Sequence, residues 1–278
     1  LDARIPTASR TPDIDSLAAG KPRLVLLNRS DLADPSASAL WKAHFKAQGM
    51  AVLETDCKSG KGVGAFSGAV RSLLKPLLEQ RAAKGQATRA LRVMVLGIPN
   101  VGKSTFINRV AGKKAAAVSD RPGVTRGRQW ITVDRGLELL DTPGILWPKF
   151  DSQEVGELLA VTGAIKDDVL DRETLAANFL VRLSRLYPDA LRQRYKLDPD
   201  AGMAGWELLE QAAKNRGFLA GRGEYDTERM SAGLLDEVRG GELGRITLGR
   251  PPEEEAALDS LESVLRYLSA QPGTEELR

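Results

Sequence analysis

The chain contains very few of the residues that disulfide frameworks, zinc sites and histidine-dependent catalysis require. Among its 278 residues there is one cysteine, Cys57, and one histidine, His44. A single cysteine excludes an internal disulfide framework and is typical of a reducing compartment, so we expect a cytoplasmic location. A single histidine argues against a serine or cysteine triad and against a histidine-based zinc site. His44 follows Trp41 on a helix-like stretch, and we expect its side chain at or near the surface.

Long apolar runs are missing as well. No stretch approaches the ~20 apolar residues that a membrane-spanning helix needs, and no secretory signal pattern is visible, so no membrane partner is expected. The hydrophobic fraction of 42% nevertheless predicts sizeable cores, and 278 residues suit two domains. A formal net charge of +3 and a pI of about 9.0 favour a polyanionic partner. We expect a monomer.

The most informative motif that is present is GIPNVGKS at residues 97–104. It lies between a valine-rich strand-like run, residues 92–96, and a helix-like run, residues 105–111, which is the context of a phosphate-binding P-loop. Lys103 would bridge the terminal phosphates of a nucleotide, and Ser104 would offer its hydroxyl to Mg²⁺. The predicted nucleotide contacts of the P-loop are Asn100, Val101, Gly102, Lys103, Ser104 and Thr105.

The base is expected to be recognised by NRSD at residues 28–31, which we call the guanine loop. The carboxylate of Asp31 can accept hydrogen bonds from N1–H and the exocyclic amine of guanine, a pairing that adenine does not offer. Asn28 would tie the loop to the P-loop and the base edge, Arg29 would stack on the base, and Ser30 completes the predicted contacts. Taken alone, the tetrapeptide fits turn residues after a strand equally well. The presence of a P-loop downstream favours the interpretation of this tetrapeptide as a guanine loop.

A weaker match, DCKSG at residues 56–60, resembles the second guanine loop of GTPases. It follows a strand-like run at residues 50–53. The predicted base contacts are Asp56, Cys57 and Lys58, with the backbone N–H groups of the last two facing the base oxygen. By itself this pattern has little specificity.

Two further segments resemble the switches of GTPases. In RPGVTR, residues 121–126, Thr125 would sense Mg²⁺ and the γ-phosphate. In DTPG, residues 141–144, Asp141 would hold Mg²⁺ through water, and Gly144 would donate its N–H to the γ-phosphate.

The order of these motifs is inverted relative to an ordinary GTPase, since both guanine loops precede the P-loop and the switches. This order predicts an α/β fold in which a circularly permuted P-loop GTPase domain, with a mostly parallel sheet in three layers, occupies residues 1–150. Because the chain leaves this domain soon after Gly144, a C-terminal domain is the natural receiver of the nucleotide state. We expect an all-helical domain at residues 151–250 and an acidic tail at residues 251–278 with a short helix at residues 258–268. The predicted helices of the second domain are residues 154–164, 174–186, 206–216 and 227–239.

Several longer matches accompany these motifs: DARIP at 2–6, GIPNVGKST at 97–105, GAIKD at 163–167, YP at 187–188, RY at 194–195, LLDE at 234–237 and LGRIT at 243–247. With them the sequence resembles the ribosome biogenesis GTPase A family, of the RbgA or YlqF type. The resemblance implies a GTP-hydrolysing, Mg²⁺-dependent assembly factor for the large (50S) ribosomal subunit. It also implies that the helical domain binds rRNA in the GTP state.

Basic residues are dense in the helical domain. As a group they fit a surface that contacts RNA phosphates, although for any one of them a solvated helix face is the favoured interpretation. The predicted RNA contacts are Arg192, Arg194, Lys196, Lys214 and Arg216.

Catalysis lacks one common element, because Ile145 stands where a Ras-like enzyme has the glutamine that orients water. Asn100 matches the asparagine with which potassium-activated GTPases hold K⁺ beside the phosphates, so K⁺ is a second candidate cofactor. The predicted catalytic set is Asn100, Lys103, Thr125 and Gly144. Two alternatives remain open: a GTP-dependent RNA-binding scaffold with vestigial hydrolysis, and a GTPase that acts on the small or the mitochondrial ribosomal subunit.

Overall fold

In the computed structural model, the described part of the chain changes at residue 152 from mixed strands and helices to helices. The described residues are 1–86, 90–112, 129–134, 136–144, 146–147, 150, 152–165, 171–199, 202–221 and 223–257. The first part contains α1 (Ile14–Leu17), β1 (Leu24–Leu27), α2 (Pro35–Ala47), β2 (Ala51–Glu54), a 3₁₀ turn (Val63–Ala65), α3 (Phe66–Leu73), α4 (Lys75–Ala83), β3 (Leu91–Met94), α5 (Lys103–Ala111), β4 (Gln129–Asp134) and β5 (Leu137–Asp141). The second part contains α6 (Gln153–Val161), α7 (Arg172–Leu186), α8 (Pro188–Tyr195), α9 (Gly205–Asn215) and α10 (Thr227–Gly240).

The described strands form two hydrogen-bonded sheets rather than the one sheet expected. β1 pairs with β2 in parallel, and β3 pairs with β5 in parallel. β4 is antiparallel to β5, because only residues 135–136 connect them and a parallel pair needs a much longer crossover. Ahead of β1, Asp2 forms a parallel bridge with Asn28 at the end of that strand. The parallel pairings therefore outnumber the antiparallel one, as the sequence predicts.

Side-chain caps explain where two of the longer helices begin. Asp34 accepts a hydrogen bond from the Ser36 N–H (2.8 Å), and Pro35 occupies the first turn of α2, where its missing N–H costs nothing. Asp171 accepts from the Thr174 N–H (2.7 Å) at the start of α7. Each such cap contributes about 1 kcal/mol to helix stability.

The predicted helices of the second part lie within a few residues of α6, α7, α9 and α10, whereas α8 was not predicted. The Tyr187–Pro188 pair is indeed a break, since α7 ends before it. A new helix also begins there, because proline is well tolerated at a first helical position. The helix predicted at residues 258–268 lies outside the described residues.

Within the described residues, buried apolar side chains form three clusters, and one of them extends from the helical part into the first part. It combines residues of α6 to α10 with Ile5 and with the P-loop residues Ile98 and Val101. A second cluster lies between α3, α5 and the sheet β3–β5–β4, and a third surrounds Trp41 and Phe45 of α2. The P-loop therefore packs directly against the helical part. None of the helices in the described residues combines the length and apolarity that crossing a bilayer requires.

The first residues of the predicted tail contact α2. Residues 252–257 are helical, and Glu253 lies 2.7 Å from Nδ1 of His44. The His44 side chain is only 12% exposed and also contacts Gln48, so it lies at the boundary of the surface.

Candidate nucleotide-binding site

The P-loop connects β3 to α5 and places Lys103 at the start of that helix. Lys103 Nζ donates to the carbonyl oxygens of Gly97 (2.9 Å) and Ile98 (2.7 Å). Burial lowers the pKa of Lys103 to about 8, and the Asp141 carboxylate opposes this shift. The ammonium group thus rests on neutral acceptors, and the charged oxygens of a phosphate would be stronger partners.

Asn28 joins the guanine loop to two other loops. Its buried side chain donates from Nδ2 to the Val101 carbonyl (2.7 Å), while Oδ1 accepts from the Cys57 N–H (3.1 Å) and from Thr55 Oγ1 (3.3 Å). Gly102 has φ +96°, and a Cβ there would lie 2.4 Å from Asn28 Nδ2. Only glycine fits this approach, so the guanine loop and the P-loop are in direct contact.

The two charged members of the guanine loop differ in their surroundings. Arg29, at φ +59°, donates to the Asn100 carbonyl (2.8 Å), and its Nε lies 3.7 Å from an Asp2 carboxylate oxygen. Its head group is therefore held by the P-loop, and base stacking would use the stem or require the head group to move. Asp31 is exposed, and no described residue donates to its carboxylate, which leaves both oxygens available to a ligand.

In the second guanine loop, the N–H groups expected to face the base already have partners. Cys57 N donates to Asn28 Oδ1, and Lys58 N donates to Asp56 Oδ1 (2.8 Å). A base contact at either group requires one of these bonds to be exchanged. Arg109, near the end of α5, donates to the carbonyls of Cys57 (3.2 Å) and Lys58. Sequence reasoning missed Arg109, because binding to backbone carbonyls leaves no residue pattern at the acceptors.

The predicted Mg²⁺ ligand Asp141 is the last residue of β5. It is 2% exposed, and its Oδ1 has no hydrogen-bond partner among the described residues. Burial raises the pKa of this carboxyl, with Lys103 acting in the opposite direction. A buried, unpartnered carboxylate oxygen is costly and is also a donor that Mg²⁺ prefers, so the site fits the ion. The described residues contain no group of three or more His, Cys, Asp or Glu side chains that could hold a metal ion.

The switch II motif lies against the P-loop. A Cβ on Gly144 would come within 2.7 Å of the backbone N and Cα of Pro99, so no other residue fits without moving the backbone. Thr125 and Ile145 both lie outside the described residues. The switch I assignment and the missing water-orienting side chain are therefore still predictions from the sequence.

Comparison with known proteins extends the likeness over nearly the whole chain. A family model described as 50S ribosome-binding GTPase matches residues 92–181. Ribosome biogenesis GTPase A of Bacillus cereus is 43% identical over 266 residues, which covers 95% of this chain and 89% of the relative. The chain belongs to the ribosome biogenesis GTPase A family.

Two solved structures give the same result for the fold of this family member. A GDP-bound YlqF structure has a TM-score of 0.64, and a GNP-bound YlqF structure from T. maritima has a TM-score of 0.61, each at 28% identity. They cover 90% of this chain, and 92% and 90% of the respective YlqF chains. The predicted P-loop GTPase domain of mixed α/β type is thereby confirmed, and the chain is a GTPase of this family.

In this ribosome biogenesis GTPase A family member, the candidate K⁺ ligand Asn100 links the P-loop to the helical part. Asn100 has φ +56°, and its Nδ2 donates to the carbonyl of Gly163 (2.8 Å), just after α6. Its own carbonyl accepts the bond from Arg29. The P-loop is thus connected to the guanine loop on one side and to the helical part on the other.

The predicted RNA contacts fall into two groups. Three arginines pair with carboxylates: Arg192 with Asp189 and Asp198, Arg194 with Glu237 and Glu242, and Arg216 with Glu237. Lys196 and Lys214 are exposed, and no described residue bonds to their ammonium groups. Each arginine would have to exchange a carboxylate for a phosphate, so the two lysines are the stronger candidates for contact with RNA.

Proposed function

We propose that this chain hydrolyses GTP as an assembly factor for the large ribosomal subunit and binds rRNA in its GTP state. Its membership of the family supports this, because the relatives are named for ribosome biogenesis and the matching family description names the 50S ribosome. The observation that carries the nucleotide part is the pair of Asn28 bonds, which hold the guanine loop and the second guanine loop on the P-loop.

A circularly permuted order of the motifs is part of the same proposal, and this contact supports it. Asn28 precedes Val101 by 73 positions, yet their hydrogen bond is 2.7 Å long. The order of the motifs is inverted in the sequence, and this bond supports the proposal that they form one site in space. The acidic tail and the boundary near residue 150 belong to the same proposal, although the hydrophobic cluster around Ile98 crosses that boundary.

Each side chain of the proposed site has a separate task. Asp31 accepts the two hydrogen bonds of guanine, and Lys103 leaves the P-loop carbonyls for the phosphates. Ser104 and Asp141, with Thr125, would hold Mg²⁺, which when bound neutralises phosphate charge. Asn100 would help to hold K⁺, which would supply the positive charge that an arginine finger supplies elsewhere.

The helical part is proposed to receive the nucleotide state through two contacts of the P-loop. Gly144 touches Pro99, and Asn100 bonds to the Gly163 carbonyl. A γ-phosphate that attracts the Gly144 N–H would change the first contact and bias the second. Nucleotide exchange would then alter how the helical part is held.

GTP hydrolysis in the presence of large subunits, small subunits or neither tests this function. We expect large subunits in K⁺ to accelerate turnover by about tenfold or more, because they would order the catalytic groups around the phosphates. Replacing K⁺ by Na⁺ at constant ionic strength should slow turnover, and Asn100→Ala should remove that difference. Stimulation by small subunits alone would favour a GTPase that acts on the small ribosomal subunit. No turnover under any condition would favour a GTP-dependent RNA-binding scaffold without hydrolysis.

A further inference from the structure

The segment that follows α10 returns from the helical part to the guanine loop. We call residues 243–249, LGRITLG, the returning segment. Its central residues are buried, with exposures of 3% for Ile246, 3% for Thr247 and 2% for Leu248. At the start of the return, Gly241 has φ +84°, and a Cβ there would lie 2.4 Å from Leu32 Cδ2. The chain thus leaves α10 in close contact with the residues just after the guanine loop.

Three carbonyl groups at the end of the guanine loop accept hydrogen bonds from this segment. Arg245 donates from Nη2 to the Ser30 carbonyl and from Nε to the Ala33 carbonyl, both at 2.8 Å. The Ile246 N–H donates to the Leu32 carbonyl at 2.9 Å. The bonded carbonyls lie on both sides of position 31 in the chain, so these hydrogen bonds restrain the backbone that carries Asp31.

The returning segment is itself anchored beyond Arg245. Thr247 Oγ1 accepts from the Asp34 N–H and donates to the Ala3 carbonyl, each at 3.2 Å. The Leu248 N–H donates to the Arg4 carbonyl at 2.6 Å. These bonds tie the segment to the first part of the chain, so Arg245 is attached to a fixed support.

We propose that Arg245 is a positioning residue for guanine recognition, acting through the backbone on either side of Asp31. The inference rests on the proposed function, in which Asp31 accepts N1–H and the exocyclic amine of guanine. A planar guanidinium presents donors in a fixed fork and spans two carbonyls, whereas a lysine ammonium is a point donor on a flexible stem. The helical part thereby contributes to base selection as well as receiving the nucleotide state.

Affinity for GDP and for inosine diphosphate tests the proposal, because hypoxanthine lacks the exocyclic amine. In Arg245→Ala the ratio of the GDP affinity to the inosine diphosphate affinity should fall about tenfold, a typical size for coupling between sites. Arg245→Lys keeps the charge and should not restore the ratio. Arg239→Ala is the matched control, since Arg239 also donates to two backbone carbonyls, those of Ala160 and Val161, but within the helical part. It should leave the ratio unchanged.

An unchanged ratio in Arg245→Ala would overturn the positioning role, and this includes the case in which the affinities for both nucleotides fall by the same factor. If the unmodified protein itself does not distinguish the two nucleotides, the guanine assignment fails first and this inference fails with it. Should Arg245→Ala not fold, hydrogen exchange of the unmodified protein decides. Saturating GDP must protect the Ile246 amide more than saturating inosine diphosphate does, and equal protection would overturn the proposal.

Discussion

At the scale of single residues, the proposed nucleotide site depends on one asparagine and two glycines in confined positions. Asn28 uses both ends of its amide to join three loops, and Gly102 and Gly144 leave room for neighbouring groups that any Cβ would touch. Removing a buried amide leaves its former donors and acceptors unpaired, and each unpaired group costs about 1 to 3 kcal/mol. The site is therefore sensitive to changes that leave Lys103 and Asp31 untouched.

Asn28→Ala should lower both the stability of the protein and its nucleotide affinity. We expect a loss of about 2 to 3 kcal/mol in the free energy of unfolding, measured by urea denaturation, because Val101 and Cys57 lose their partners. GDP affinity, measured by calorimetry, should fall as the loops separate. Asn215→Ala is the control, since Asn215 Nδ2 donates to the Tyr195 and Lys196 carbonyls in the helical part. A GDP affinity that falls equally in both variants would contradict a specific role for Asn28.

Motif spacing predicts which side chains line the site, because phosphate and base chemistry fix the residue types. It does not predict Arg109 or Arg245, since both act on backbone carbonyls and any residue can supply the acceptor. Nor does it predict that Arg194 pairs with Glu237, because that pairing depends on how two helices pack. Charge density alone therefore made this arginine a candidate for contact with RNA.

At the scale of elements, an acidic side chain on α10 holds the ends of two other helices. Glu237 accepts from Arg194 and Tyr195 of α8 and from Arg216 just after α9. Burial alone would raise the pKa of Glu237, but the bonds from Arg194 and Tyr195 and the charge of Arg216 outweigh it, so the pKa lies below its ordinary 4.5. The sequence predicts α7 and α10 from helical patterns bounded by helix-breaking residues, whereas it gives no signal for this junction.

Glu237→Gln should destabilise the helical part by about 2 kcal/mol at neutral pH, because Arg216 loses its charged partner and Arg194 keeps only Glu242. Since the folded pKa is lowered, the contribution of Glu237 is complete above pH 4.5 and is lost as the pH falls below that value. Thermal melts across this range should thus show a smaller acid-dependent loss in the variant. Parallel pH profiles for the two proteins would contradict the assigned network.

At the scale of the whole molecule, the helical part contacts the proposed nucleotide site at separate places. The P-loop reaches Gly163 through Asn100, and the returning segment reaches the guanine loop through Arg245. Buried Arg4, paired with Asp2, adds a bond to the Val238 carbonyl of α10. None of these long-range contacts follows from local sequence patterns, although DARIP and LGRIT, which supply two of them, are visible in the sequence.

Removing Lys196 and Lys214 together should weaken binding to large subunits and flatten its salt dependence. Each phosphate contact contributes about 0.7 to 0.9 to the slope of log affinity against log salt, so the slope should fall by about 1.5. The control removes the same charge elsewhere, by Arg10→Ala with Arg23→Ala, since both arginines pair with Asp15. Equal slopes for the lysine variant and the unmodified protein would contradict the RNA contact and indicate that both lysines are solvated surface residues.

The most direct test of the permuted site is the base preference of Asp31→Asn. An amide at this position presents an N–H to the guanine N1–H, so GTP affinity measured by calorimetry should fall about 30-fold or more, while xanthosine triphosphate should bind better than it does to the unmodified protein. Asp13→Asn, at another exposed aspartate with no described side-chain partner, should change neither affinity. An unchanged GTP affinity in Asp31→Asn would contradict the claim that a loop upstream of the P-loop recognises guanine.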